Sequence, residues 1–219
     1  MCGRFTLSLE PGDLQEELGL GAMPADLRPR YNIAPTQPVA VVVDGGSRDV
    51  AMYHWGLVPG WAKDVSMGSR MINARSETLA EKPSFRQAFA RRRCLIPADG
   101  FFEWDKKGSK KEPYFIHLAS GKPFMFAGLW ETWHGPDGSV LNSCTIITCA
   151  ANALVGRLHE RMPVILPRDQ QTGWLTPGIH LSDLQALLAP FSAGEMAMYP
   201  VRPVVNNPAN DSPECLARA

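Results

Sequence analysis

Between positions 94 and 149 the chain is a succession of β-branched and aromatic runs broken by short turns, and this leaves few architectures open. Residues 94–104, 114–118, 124–133 and 143–149 each read as strands, separated by Gly-, Lys- and Pro-rich segments too short to hold a crossover helix. Strands joined in this way pair antiparallel. Upstream, 39–43 and 50–55 flank Asp44-Gly45-Gly46 and predict a hairpin. Helical spacing is confined to short stretches: 14–20 with Asp13 as N-cap, 84–93 with Phe85, Ala88 and Phe89 on one face, and 181–188 with Ser182 as cap candidate. The proline-rich "RPRYNIAPTQP" reads as a rigid extended loop and 195–205 as a last strand. Neither a regular βαβ alternation nor an internal repeat is present. The expected fold is α+β, a single domain over 1–219 with a bent, barrel-like antiparallel β core flanked by short helices.

Composition narrows the partners. Basic and acidic residues number 22 each, so the molecule is not a polycation that coats nucleic acid by bulk charge, and any nucleic-acid site must be a local patch. No apolar run approaches the roughly 18 to 20 residues of a membrane span, and the N-terminus lacks a basic then apolar signal region, which predicts a cytoplasmic protein. The five cysteines, Cys2, Cys94, Cys144, Cys149 and Cys215, show neither CxxC nor a Cys/His zinc spacing. Reduced thiols are expected, with no metal and no cofactor.

The chain opens "MCGRF". A small residue in second position permits removal of Met1, after which Cys2 carries a free α-amine beside its thiol. An aldehyde meeting such a 1,2-aminothiol forms an imine with the amine, and the sulfur then closes a five-membered thiazolidine. The alternative is that Cys2 is an ordinary buried small hydrophobe.

Polar residues interrupt apolar or extended runs in "MINARSET", "GFFEW", "IITCAAN" and "LHERMPVIL". Glu103 alternates with Phe102 and Trp104, so it lies either on a solvated face or in a cleft where burial suits it to move protons. His159 stands at an element boundary ahead of Pro163, and Asn73 and Arg75, two apart in an extended segment, project to one side.

"MCGRF", "RYNIAPTQ", "WGLVPGW", "INARSET", "ADGFFEW", "IITCAAN" and "HERMPVIL" follow one another in the order of the SOS-response-associated peptidase family, which the chain resembles from about residue 2 to 207. The resemblance implies a monomer that binds single-stranded DNA and crosslinks to the aldehyde of abasic sites, with possible turnover as an abasic-site lyase and association with damaged DNA in the nucleoid. It makes Cys2 the nucleophile, Asn73 the residue holding its amine, Glu103 the general acid/base and His159 the group assisting sugar opening and later proton transfers. By the same resemblance Arg4, Arg75 and Arg161 are phosphate contacts, Pro35 and Trp61 form an apolar wedge against flanking bases, and Thr148 lies beside the pocket. Some members carry a second tryptophan after the first, whereas this chain has Ala62, which implies a smaller stacking surface.

Arg91-Arg92-Arg93 and Lys106, Lys107, Lys110 and Lys111 are assigned no site role, since such runs are usually solvated helix ends and hairpin tips. Two other readings start from the same cysteine: an N-terminal-nucleophile amidotransferase, which also begins Met-Cys-Gly, and a thiol peptidase built on Cys2, His159 and Asn73. The first lacks a synthase domain to receive ammonia. The second leaves the free amine without a purpose.

Overall fold

A computed structural model describes residues 2–105 and 111–219. The chain runs through β1 (Phe5–Leu7), α1 (Pro11–Leu18), β2 (Arg30–Ile33), β3 (Pro38–Val42), β4 (Val50–Trp55), β5 (Asn73–Arg75), α2 (Arg86–Arg91), β6 (Arg93–Ala98) and β7 (Gly100–Asp105). It continues with β8 (Glu112–Leu118), β9 (Phe124–His134), β10 (Val140–Ala150), β11 (Arg161–Pro163), β12 (Ile165–Leu166), α3 (Arg168–Leu175), α4 (Leu181–Ala186) and β13 (Met196–Pro200).

Five strands close into a barrel, because β10 pairs with β4, β4 with β3, β3 with β6, β6 with β9, and β9 again with β10. Closure removes the exposed edges that an open sheet of this apolarity would present. The core is antiparallel as expected, with one exception. β10 runs parallel to β4, where Ser143 faces His54, and to β5, where Ile146, Ile147 and Thr148 face Asn73, Ala74 and Arg75. β11 completes the other side of β10's distal half, with Ala150 opposite Arg161. A second, five-stranded sheet in the order β13-β8-β7-β1-β2 packs beside the barrel. Phe5 of β1 bridges the two, its ring edge-on to Trp55 at 5.1 Å and to Phe126 at 5.8 Å.

Two glycines are required by close approach. A Cβ on Gly128 would lie 2.9 Å from Cys94 Sγ and 3.0 Å from the Thr145 carbonyl oxygen, so β9 crosses between β6 and β10 only as glycine. Gly56, at φ 138 in "WGLVPGW", faces the Gly68 carbonyl, leaving neither the space nor the backbone conformation for a side chain.

Local differences from the sequence expectation have physical causes. Helix α1 starts at Pro11, earlier than expected, because proline suits the first helical turn where its missing N–H costs nothing, and Asp13 lies in that turn rather than at the cap. The run 94–104 is two strands, broken at buried Asp99, whose carboxylate accepts from Thr6 Oγ1 and from the backbone N–H (2.6 Å) and hydroxyl (2.7 Å) of Ser8. "RYNI" within the proline-rich loop pairs with β1 as β2. α3 was not expected, α4 ends at Ala186, and β13 ends at Pro200. Beyond it, the 3-10 turns Pro203–Asn206 and Pro213–Leu216 pack Val205 and Cys215 against Phe102 and Phe115.

Arg93 is buried against the carbonyls of Phe89, Ala90, Trp174 and Thr176, and Arg92 pairs with Glu131 at 2.6 Å, so both serve the fold. Lys106, Lys107 and Lys110 lie outside the described residues. Among the described residues, no helix is long and apolar enough to cross a membrane, and no group of three His, Cys, Asp or Glu is gathered for a metal ion.

Candidate functional site

Residues 2–4 lead directly into β1, an inner strand of the second sheet. The Phe102 N–H donates to the Arg4 carbonyl at 3.0 Å, continuing the β1–β7 ladder past Phe5 and carrying Cys2 alongside Glu103. Cys2 is fully buried in the main core, its sulfur 3.9 Å from the Arg4 carbonyl. Burial pushes its thiol far above the ordinary range, and the Glu103 carboxylate adds to the effect, so the sulfur is held as a neutral S–H.

Glu103 is itself buried, which resolves its two sequence readings in favour of the interior. Alternation along β7 explains its direction. Phe101 and Glu103 share the side of the main core, whereas Phe102 and Trp104 face the C-terminal cluster around Val205 and Cys215. The sheet is covered on both faces, so Phe101, Phe102 and the carboxylate are buried and Trp104 is half-buried.

Asn73 reaches Cys2 from the barrel. Its Nδ2 donates to the Cys2 carbonyl at 2.8 Å, and its Oδ1 is buried with no hydrogen-bond partner. An unsatisfied buried acceptor is costly and marks a seat for a donor. Parallel pairing of β5 with β10 fixes this side chain and also sets Arg75, exposed, opposite Thr148, which is buried.

The three arginines differ sharply in electrostatic state. Arg4 is held by neutral groups, Nη1 donating to Asn32 Oδ1 (2.8 Å) and the Val205 carbonyl (2.9 Å), with its guanidinium 5.9 Å from the Trp104 ring centroid. No carboxylate among the described residues is paired with it. Arg161 is instead neutralised, its fork bound by both oxygens of Glu77 at 2.6 and 2.9 Å and its Nη2 also donating to the Thr148 carbonyl at 2.5 Å. That pairing holds the Glu77 carboxyl below the usual carboxylate range.

His159 closes the turn into β11. Its Nδ1 accepts the Arg161 N–H at 2.9 Å, which leaves the ring proton of a neutral imidazole on Nε2. Trp61 is 59% exposed at the Pro59-Gly60 turn. Ala62 beside it is buried against Val58 and Trp133, and Trp133 Nε1 donates to its carbonyl at 2.8 Å, so a second tryptophan has no room there. Pro35 is half-buried and precedes Thr36, a β-branched residue at φ 70, a strained conformation of the kind found at functional sites.

Cys2, Asn73 and Glu103 thus form one buried group, and Arg75, Thr148 and Arg161 gather on three adjacent strands. Pro35 and Trp61 stand on separate loops. Sequence reasoning missed Asn32, which holds Arg4, and Glu77, which holds Arg161, although both lie inside the motifs "RYNIAPTQ" and "INARSET". It also missed Asp211, whose carboxylate takes the Arg30 guanidinium and the backbone N–H groups of Tyr31 and Asn32.

A model of the SOS response associated peptidase (SRAP) family matches residues 1–208. The abasic site processing protein YoqW of Bacillus subtilis (strain 168) is 45% identical over 221 aligned residues, 99% of this chain and 99% of its own. The abasic site processing protein HMCES of Xenopus tropicalis is 30% identical over 99% of this chain and 78% of its own. A solved structure of a protein from Bacteroides thetaiotaomicron superposes with a TM-score of 0.90 at 26% identity, covering 100% of both chains.

Proposed function

The chain belongs to the SOS response associated peptidase family, and from that premise we propose that it processes abasic sites in single-stranded DNA by covalent capture through Cys2. Removal of Met1, by the protein itself or by an aminopeptidase, converts the amide nitrogen of Cys2 into a primary amine. Met1 lies outside the described residues.

The observation that carries this reading is the burial of residue 2 between the Asn73 amide and the Glu103 carboxylate. A terminal residue enclosed in this way is a reagent held in position. The unpartnered Oδ1 of Asn73 is the acceptor for an N–H of the new amine. The neutral thiol favours nitrogen as the first attacker: amine and aldehyde give an imine with loss of water, then sulfur adds to the imine carbon while the thiol proton passes to nitrogen. Glu103 relays protons between amine and carbinol oxygen. His159, whose Nδ1 accepts the Arg161 N–H, is the group that assists opening of the deoxyribose ring. β-Elimination from the imine, before ring closure, is the route by which the same site acts as a lyase.

Arg4 and Arg75 are the available phosphate contacts, because neither is bound to a carboxylate among the described residues, and Pro35 and Trp61 supply the surface for flanking bases. Such stacking contributes about 1 to 3 kcal/mol per base.

Incubating processed protein with single-stranded DNA carrying one abasic site is expected to give a heat-stable shifted band on a denaturing gel, absent with Cys2→Ala. Intact mass verifies loss of Met1. No band from protein of the processed mass overturns the proposal.

A further inference from the structure

Arg161 is the inner member of its ion pair and Glu77 the outer, with side chains 11% and 51% exposed. Anything approaching this arginine from solvent meets the carboxylate first. Glu77 stands on the 3-10 turn Ser76–Thr78, directly after β5, two residues beyond exposed Arg75. The turn is tied down by Gln185, whose Nε2 donates to the Ser76 carbonyl at 3.0 Å. Both terminal nitrogens of Arg161 face the two oxygens of Glu77, while the Thr148 carbonyl fixes the guanidinium from below. A phosphodiester offers a guanidinium the same two-oxygen edge as a carboxylate.

We propose that Glu77 is a specificity-determining residue whose carboxylate occupies, on Arg161, the position of a DNA backbone phosphate and must leave before the strand seats fully. This rests on the proposed function and on the family resemblance that makes Arg161 a third phosphate contact, closed by Glu77 until the carboxylate leaves. Displacement carries two costs: a bidentate ion pair is broken, and a released anion stands beside the incoming phosphate. An undamaged strand bears these costs at every encounter. A strand with an abasic site overcomes them once, because a covalent bond then holds it. Glu77 thereby weakens reversible binding to intact single strands more than it weakens capture, a discrimination built from repulsion as much as attraction.

The test compares wild type and Glu77→Gln on an undamaged oligothymidine across a salt series, alongside covalent capture of an abasic oligonucleotide. Glu77→Gln is expected to bind the undamaged strand about fivefold more tightly at low salt, with the slope of log K against log salt steeper by about 0.7, as for one more phosphate neutralised on a single strand. Misfolding cannot produce such a gain. Unchanged or weaker binding overturns the proposal. Repeating the pair in an Arg161→Ala background separates this effect from general charge: only the part due to like-charge repulsion remains there, so the gain must shrink, and an undiminished gain without Arg161 overturns the proposal equally. Failure of wild type to capture the abasic strand counts against the proposed function, whereas capture with unaltered Glu77→Gln affinity counts against the gate alone.

Discussion

At the scale of single residues the site is a contest between enclosure and reactivity. The Cys2 thiol is kept neutral by burial and by the Glu103 carboxylate, so Glu103→Gln should lower the thiol's pKa by removing a nearby negative charge. The same change removes the proposed proton relay, and in the pH profile of adduct formation the alkaline limb is expected to move down in pH while the plateau falls. A profile of unchanged shape and height would remove Glu103 from the mechanism. Asn73→Ala, which deletes both the hold on the Cys2 carbonyl and the open Oδ1 acceptor, is expected to slow adduct formation about tenfold or more. Circular dichroism and thermal unfolding would check that its fold is intact. Cys2 stood out in the sequence because only second position, once Met1 is removed, gives an aminothiol. The direction of Glu103 did not, since alternation with two aromatics cannot reveal a sheet covered on both faces. Glu77 was illegible as a partner because Arg161 lies 84 residues away in sequence.

At the scale of elements, the hairpin β3–β4, the later strands and α2 were readable from periodicity and turn residues. The break between β6 and β7 was not, although "ADG" carried its signal: an aspartate that accepts from Thr6 and Ser8 turns the chain out of the barrel into the second sheet. α3 escaped because Trp174 and Leu175 sit at its end and leave its exposed face without a long apolar period. The segment after β13, read in the sequence as strand as far as 205, is a clasp. Asp211 fixes Tyr31 and Asn32, and Asn32 donates to the carbonyls of Val205, Asn207 and Asn210 while accepting from Arg4. Asp211→Ala strands two backbone N–H groups, and with this carboxylate partly solvated the expected loss is about 2 kcal/mol in urea unfolding. Reversible affinity for single-stranded DNA should fall with it, because Arg4 loses its seat. Unchanged affinity would separate the clasp from the proposed DNA surface.

At the scale of the whole molecule, all five cysteines are free and buried, and burial raises the thiols of Cys2, Cys94, Cys144 and Cys149. The folded state therefore keeps protons that an unfolded chain releases above about pH 8.5. The sign follows directly: this stabilisation is complete below the unfolded pKa and is lost as pH rises toward the folded values. Each suppressed ionisation steepens the loss by about 1.4 kcal/mol per pH unit. Urea midpoints measured from pH 7.5 to 9.5 should decline, and Cys94→Ala with Cys144→Ala should flatten that decline. An identical slope in the double variant would assign it to other groups.

β10 has consequences for the chain as it is made. It is at once a barrel strand and the anchor of β5 and β11, and its partner β4 lies about ninety residues upstream. A nascent chain thus has neither a closed barrel nor a seated Asn73 until residue 150 clears the ribosome, about ten seconds or more after the start emerges. Throughout that interval the first peptide bond is open to an aminopeptidase and the thiol at residue 2 is bare to cellular electrophiles. Topology thus gives the proposed removal of Met1 its opportunity before enclosure.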